Sequence, residues 1–163
     1  MKRKKIVVCT IFALLLLTLS ACGGGSSSEG SSPSANVEGE LTDLFAKIYS
    51  NAGVDAPGTL EVPLDDSNKA AFIGTNEVSF TEGLASEAAI MTIPHSMVLL
   101  RIDQTADAEK VKQLIKDNVD PRKWICTGVE EDQVIVDNIG NLVFLVMSID
   151  AEAYHKSFLQ LAG

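Results

Sequence analysis

The sequence is poor in the residues from which most metal sites and covalent frameworks are built. It has three cysteines and two histidines among 163 residues, and the histidines, His95 and His155, stand far apart. Zinc sites are recognised by His and Cys ligands at short, regular spacings, so the sequence predicts no metal site. It also contains no phosphate-binding or dinucleotide-binding glycine motif, and we assign it no cofactor.

The Gly-x-Ser-x-Gly motif of nucleophilic serines is also absent. His95 and Ser96, completed by a distant carboxylate, would be the nearest approach to a catalytic triad. Adjacent residues of an extended segment point to opposite sides of the chain, which argues against that triad. The sequence therefore assigns no catalytic residues and favours a protein that is not an enzyme.

Positive charge is concentrated in the first five residues. The formal net charge of the chain is −9, and residues 1–21 contain four basic and no acidic side chains. Residues 22–163 therefore carry −9 − 4 = −13. A nucleic-acid partner needs a basic patch, and electrostatic attachment to anionic lipid needs basic clusters as well, so the sequence predicts neither.

No apolar run has the length of a typical membrane span. The run at 6–19 has 14 residues and includes two threonines. A spanning helix needs about 20. Because this run follows four basic residues at 2–5, it has the form of a cleavable signal peptide.

The run ends in Leu19-Ser20-Ala21-Cys22, which resembles the lipobox of bacterial lipoproteins. The resemblance implies cleavage between Ala21 and Cys22 and a diacylglyceryl group, with acyl chains such as palmitate, on the Cys22 sulfur. Two acyl chains are enough for stable anchoring, where one is marginal. We therefore expect an extracytoplasmic protein that is held to the cell membrane through Cys22, with a Gram-positive surface as its setting.

The three cysteines have separate fates under this interpretation. Cys9 leaves with the signal peptide and Cys22 carries the lipid, so Cys126 stays unpaired and the mature domain has no internal disulfide. A reactive thiol needs an activating histidine or a second cysteine nearby, and the sequence neighbours of Cys126 are of neither type. We expect Cys126 to be a small buried apolar side chain.

A Gly/Ser-rich stretch separates the signal peptide from the rest of the chain. Residues 22–39 comprise the lipidated cysteine and a segment without hydrophobic periodicity, which predicts a disordered tether. Residues 40–163 have the length of one domain. The predicted organisation is thus a signal peptide at 1–21, a tether at 22–39 and a single α+β domain at 40–163.

Hydrophobic periodicity in residues 40–163 predicts a helix followed by strands and further helices. The apolar face of the N-terminal helix, which Gly53 ends, consists of Leu41, Leu44, Phe45, Ile48 and Tyr49. Residues 54–63 are predicted to be a loop, and 65–72 a short helix. The remaining elements are strands at 87–93, 97–102, 133–137 and 142–149 and helices at 105–119 and 151–161. This ββαββα order over residues 86–161 predicts a four-stranded antiparallel sheet with its helices gathered on one face.

The strand at 142–149 is apolar on both of its faces. A strand with one face in water would alternate apolar and polar residues, so this strand is predicted to be central and covered on both sides. The N-terminal helix, together with the segment 64–74, is the available cover for the second face. The alternative is an exposed apolar face that a partner covers.

Residues 40–163 also resemble a family of small, uncharacterised lipoproteins of Gram-positive bacteria that are built on a domain of unknown function. Besides the lipobox and the Gly/Ser spacer, the resemblance rests on the early helix from Leu41 to Tyr49, the segment 106–112, and the strand 141–148 with the helix after it. It implies a membrane-anchored lipoprotein of unknown specific activity.

The sequence leaves two functional hypotheses open. The first is a non-enzymatic module at the cell envelope that binds an envelope protein or peptide. The second is an envelope enzyme whose site combines scattered residues such as His95, Asp103 and Asp137. A solute-binding protein is a third and weaker hypothesis, because 124 residues are too few for two lobes around a cleft.

Overall fold

The computed structural model describes residues 36–163. The predicted signal peptide at 1–21, the lipidation site Cys22 and residues 23–35 of the predicted tether lie outside the described residues. Within residues 36–163, none of the helices combines the length and the apolar character that crossing a bilayer requires.

The described chain forms one antiparallel sheet of five strands with helices on both faces. The strands are β1 (Thr59–Pro63), β2 (Glu82–Ala88), β3 (His95–Arg101), β4 (Val134–Ile139) and β5 (Leu142–Ser148), and their order in the sheet is β1-β2-β3-β5-β4. The helices are α1 (Leu41–Ala52), α2 (Ala70–Ile73), α3 (Ala108–Asn118) and α4 (Ala151–Leu159), with 3₁₀ turns at Glu131–Gln133 and Gln160–Ala162. The α+β class is as predicted, whereas the predicted count of four strands is wrong because β1 adds a fifth.

Strand β1 occupies part of the segment that the sequence pattern marks as a loop. It pairs antiparallel with β2 along its whole length. The Leu64 N–H donates to the Gly83 carbonyl at 2.9 Å, so the nitrogen of the preceding Pro63 faces the open edge, where a missing N–H breaks no ladder bond. Four residues between the Pro57-Gly58 turn signal and Pro63 are too short a pattern for the sequence to distinguish from a loop.

Strands β2 and β3 both begin earlier in the chain than predicted. β2 carries small residues such as Ala85 and Ser86, which lack the β-branched signal of a typical strand, and the signal is strongest in the apolar residues 89–93 after it. Those residues form the exposed connection between β2 and β3 instead. The shift moves His95 and Ser96 from the predicted turn into the start of β3.

Strand β5 is central, as its two apolar faces predict. It lies between β3 and β4, and all seven of its residues are buried. One face of the sheet is covered by α1 and α4, which contribute Phe45 and Phe158 to the core. The other face is covered by α3, by the segment 64–80 and by Trp124.

The prediction that the helices gather on one face is therefore wrong. Helices α3 and α4 pack on opposite faces, and α1 shares its face with α4 rather than with residues 64–74. The Ser157 hydroxyl donates to the Ile48 carbonyl at 2.8 Å, which ties α4 directly to α1. The second face is covered by α3 and the segment around α2.

The first described residues of the chain contact the sheet at the end of β3 that carries Arg101. The Arg101 guanidinium donates to the carbonyls of Val37 and Gly39 at 2.7 and 2.8 Å, and the Val37 side chain is buried. His95 lies at the other end of this seven-residue strand, about 20 Å from Arg101 along β3. The sheet thus has two distinct ends: the Arg101 end, which we call the tether end after the predicted tether at 22–39, and the far end at His95.

Candidate functional site

A series of hydrogen-bonded polar side chains lies buried at the far end of the sheet. His95 Nε2 is 2.8 Å from the Tyr49 hydroxyl of α1, and His95 Nδ1 is 3.2 Å from the Ser148 hydroxyl of β5. The Tyr49 hydroxyl is also 2.8 Å from the Ser86 hydroxyl of β2. His95, Ser86 and Ser148 are almost fully buried, so these contacts satisfy groups that water does not reach. We call Tyr49, Ser86, His95 and Ser148 the His95 network.

Burial keeps the imidazole of His95 in its neutral form. Desolvation lowers the pKa of His95 from 6.5 to about 4, because the buried cation would lose its hydration. Desolvation likewise raises the pKa of the Tyr49 hydroxyl. Two proton arrangements satisfy the whole network. In one, Ser86 donates to Tyr49, Tyr49 donates to Nε2, and the Nδ1–H donates to Ser148; in the other, all three hydrogen bonds run in the opposite direction.

The contact between Ser148 and His95 has the atom types of a nucleophile and its general base. In a working triad a carboxylate accepts a hydrogen bond from the second ring nitrogen and stabilises the histidinium that forms. In this site the second ring nitrogen is hydrogen-bonded to the neutral hydroxyl of Tyr49 instead. A histidine with a pKa of about 4 is also a weak base at neutral pH. The geometry therefore favours a structural role for the His95 network, which joins α1 to three strands.

A small cavity opens beside His95 and Ser148. Its volume is about 170 Å³, and Asp55 and Asp150 lie on its wall. Small-molecule sites usually measure about 300–1,000 Å³. The cavity beside His95 is smaller than this and holds only a few water molecules, so by itself it does not define a ligand site.

Ser96 belongs to a second polar cluster on the opposite face of the sheet, which confirms that His95 and Ser96 point apart. The Ser96 hydroxyl donates to the Glu87 carboxylate, and Lys123 Nζ lies 2.8 Å from the same carboxylate oxygen and 3.1 Å from Ser96 Oγ. Lys123 Nζ also faces two aromatic rings, at 5.2 and 5.4 Å from their centroids. This ion pair fixes the loop after α3 onto β2 and β3.

The scattered residues of the enzyme hypothesis are not brought together. Asp103 follows β3 at the tether end, where its carboxylate accepts hydrogen bonds from the N–H and hydroxyl of Thr105 at 2.8 and 2.6 Å. Asp137, on β4, lies 2.8 Å from His155 Nε2 on α4, whereas His95 is at the far end of β3. Within residues 36–163, no three His, Cys, Asp or Glu side chains are grouped closely enough to hold a metal ion.

Cys126 is exposed, so the prediction of a buried thiol is wrong. It has a φ of 58°, a left-handed conformation that few residues other than glycine adopt, in the loop after α3. The preceding residue, Ile125, donates its N–H to the Met91 carbonyl at 3.3 Å, which brings this loop against the β2–β3 connection. The thiol therefore lies on a surface loop, outside the two apolar cores.

Five large apolar side chains are exposed together at the far end of the sheet. Their exposed fractions range from 36% for Ile93 to 67% for Ile149. They come from three connections: the β2–β3 connection, the loop after α3, and the turn between β5 and α4. We call this set the apolar end, and its members are Ile90, Met91, Ile93, Ile125 and Ile149.

Contacts between these connections bring the residues of the apolar end close to one another. The hydrogen bond from Ile125 to Met91 joins two of the loops, and the Ile93 N–H donates to the Ile90 carbonyl at 3.0 Å within the first. Ile93 and Ile149 border the same small cavity, which joins the third connection to the first. Sequence periodicity places the residues at 90–93 in a strand, so it does not identify this patch.

Comparisons with known proteins give no family for the chain. No protein-family model matches it, and searches of characterised proteins and of solved structures find no match. The resemblance to small Gram-positive lipoproteins stays a prediction, and function is inferred from the chain's own residues.

Proposed function

We propose that this chain is a lipid-anchored extracytoplasmic protein of the bacterial cell envelope, whose domain binds a partner without catalysing a reaction. The anchor is supported by the basic residues at 2–5, the 14-residue apolar run, and Leu19-Ser20-Ala21-Cys22 before a Gly/Ser-rich tether. The diacylglyceryl group on Cys22 makes the membrane one partner. The other partner is a protein or peptide of the envelope.

The apolar end is the observation that carries the binding function. A small domain gains stability by burying its large apolar side chains, yet five of them stay exposed in one patch. Large contiguous apolar patches on a protein surface mark interaction sites. The patch lies at the opposite end of the seven-residue β3 from the tether end, about 20 Å away, so residues 36–39 meet the sheet away from the patch.

Cys22→Ala is expected to release the protein from the membrane, because the acyl chains are joined to the cysteine sulfur. The measurement is detergent-phase partitioning together with radioactive palmitate labelling in bacterial cells that express each variant. Cys126→Ala is the matched control, since it removes the exposed thiol and should keep both the label and the membrane attachment. A Cys22→Ala protein that stays membrane-bound and labelled would contradict the anchor.

A photo-crosslinking amino acid at Met91 is expected to join the protein to an envelope protein in intact cells, because Met91 lies in the apolar end. The adduct is detected as a shifted band and identified by mass spectrometry. The same amino acid at Leu159 is the control, since Leu159 is 45% exposed but lies at the C-terminal end of α4. Equal adduct yields from the two positions, or none from Met91, would rule out the apolar end as the binding surface.

A further inference from the structure

Building on the proposed binding function, we infer that the apolar end binds a cationic amphipathic segment of a protein, in which apolar side chains are flanked by lysine or arginine. The apolar part of such a segment covers the exposed isoleucines and Met91. Its basic part meets the carboxylates that surround them.

Four carboxylates border the apolar end. Asp55 and Asp150 line the small cavity beside it, and Asp132 and Glu152 line an adjoining groove that includes Ile149. None of the four forms an ion pair with another residue of the described chain. We call Asp55, Asp132, Asp150 and Glu152 the acidic rim.

The basic side chains of the neighbouring loop are already paired. Lys123 Nζ lies 2.8 Å from the Glu87 carboxylate, and its side chain is only 17% exposed. One guanidinium nitrogen of Arg122 lies 3.6 Å from Glu130. The surface around the apolar end is therefore dominated by negative charge, which complements a segment with positive flanks.

Net charge also argues against two other partners for the apolar end, a second copy of this chain and an anionic membrane surface. Residues 1–35 hold four basic side chains and one acidic side chain, which leaves 13 − 4 = 9 basic and 22 − 1 = 21 acidic in residues 36–163, a net charge of −12. A second copy would bring an identical acidic rim to the patch, and an anionic bilayer surface would repel it. A cationic segment gains apolar burial and charge attraction together.

The test uses the full lipidated protein in nanodiscs of phosphatidylcholine, with empty nanodiscs as the background. Two amphipathic helical peptides serve as probes, one of leucine and lysine and the other of leucine and glutamate, each with a photo-crosslinking residue at its centre. The lysine peptide is expected to form adducts that map to the apolar end, and the glutamate peptide is not. Salt of about 0.5 M should weaken the lysine-peptide adduct, because it screens the rim charges.

Three variants separate the apolar and charged contributions. Ile90→Ser combined with Ile149→Ser is expected to lower the adduct yield about tenfold, since central apolar contacts dominate binding. Asp55→Asn combined with Asp150→Asn is expected to lower it about threefold, because partly exposed charges contribute less. Leu159→Ser, an exposed apolar residue outside the patch, should leave the yield unchanged. Equal labelling by the two peptides, unchanged yields in both double variants, or an equal loss in Leu159→Ser overturns the assignment.

Trp124 reports on the competing occupants, because it lies next to Ile125 and is the only tryptophan in the chain. Quenching of its fluorescence by bromine-labelled phosphatidylcholine would place the apolar end in the bilayer, and a dimer crosslinked through Met91 would place a second copy there. Either result overturns the cationic partner. An envelope adduct at Met91 in cells, without a preference for the lysine peptide, would refute this partner chemistry and leave the binding function standing.

Discussion

Replacing Gly74 with alanine is expected to lower the free energy of unfolding by about 2–5 kcal/mol. Gly74 ends α2 with a φ of 78°. This left-handed conformation costs a residue with a side chain about 1–2 kcal/mol. An added Cβ would also overlap the carbonyl of Asn118 and stand 2.6 Å from the nitrogen of Val119, at the C-terminus of α3. These are backbone atoms that cannot rotate away, so α2 and α3 would have to separate.

Gly53→Ala is the matched control, because it has the conformational cost without the overlap. Gly53 ends α1 with a φ of 69°, and no atom beyond the adjacent residues lies within 4 Å of an added Cβ. This variant is expected to lose about 1–2 kcal/mol. Urea unfolding, followed through the fluorescence of the buried Trp124, measures both variants. Equal losses would show that the contact between Gly74 and Asn118 does not constrain the packing.

Lowering the pH from 6.5 to 4 is expected to lower the free energy of unfolding, because His95 is buried in its neutral form. In the unfolded chain His95 has its ordinary pKa of 6.5, whereas burial in the folded protein lowers this pKa to about 4. Between these values the unfolded state binds a proton that the folded state does not. The contribution of His95 is therefore complete above pH 6.5 and is lost as the pH falls toward 4, with a total of about 3 kcal/mol.

His95→Gln is expected to flatten the fall in unfolding free energy between pH 6.5 and 4, because glutamine does not titrate. The measurement is a series of urea unfolding curves across this range for the parent protein and the variant. His155→Gln, which removes the histidine paired with Asp137, controls for the loss of an imidazole elsewhere in the domain. An unchanged slope in His95→Gln would mean that His95 is not buried in the His95 network.

Helix α1 shows which elements can be predicted from local pattern. Leu41, Leu44, Phe45 and Ile48 are buried and Gly53 ends the helix, as predicted, because residue spacing alone decides which helix face meets the core. Strand β1 shows the limit of local pattern. Its identity depends on pairing with β2, more than 20 positions along the chain, and no local window contains that information.

The candidate sites depend still more on tertiary placement. The two-residue period of a strand is enough to separate His95 from Ser96. The contacts of Tyr49 with His95 and of Glu87 with Lys123 join residues 46 and 36 positions apart, and no spacing rule predicts them. The apolar residues after β2 have the composition of a buried strand, and they are exposed only because β2 ends before them.

The placement of Arg101 and His95 at opposite ends of β3 determines how the domain bears mechanical load. If the protein is anchored and binds a partner as proposed, a pull between residues 36–39 and the apolar end would act along β3. Antiparallel hydrogen bonds lie perpendicular to their strands, and β3 is bonded to β2 on one side and to β5 on the other. Such a pull loads both ladders in shear, so many bonds share the force at once and do not open one after another. Under the proposed anchoring, the domain is thus expected to resist force best along β3.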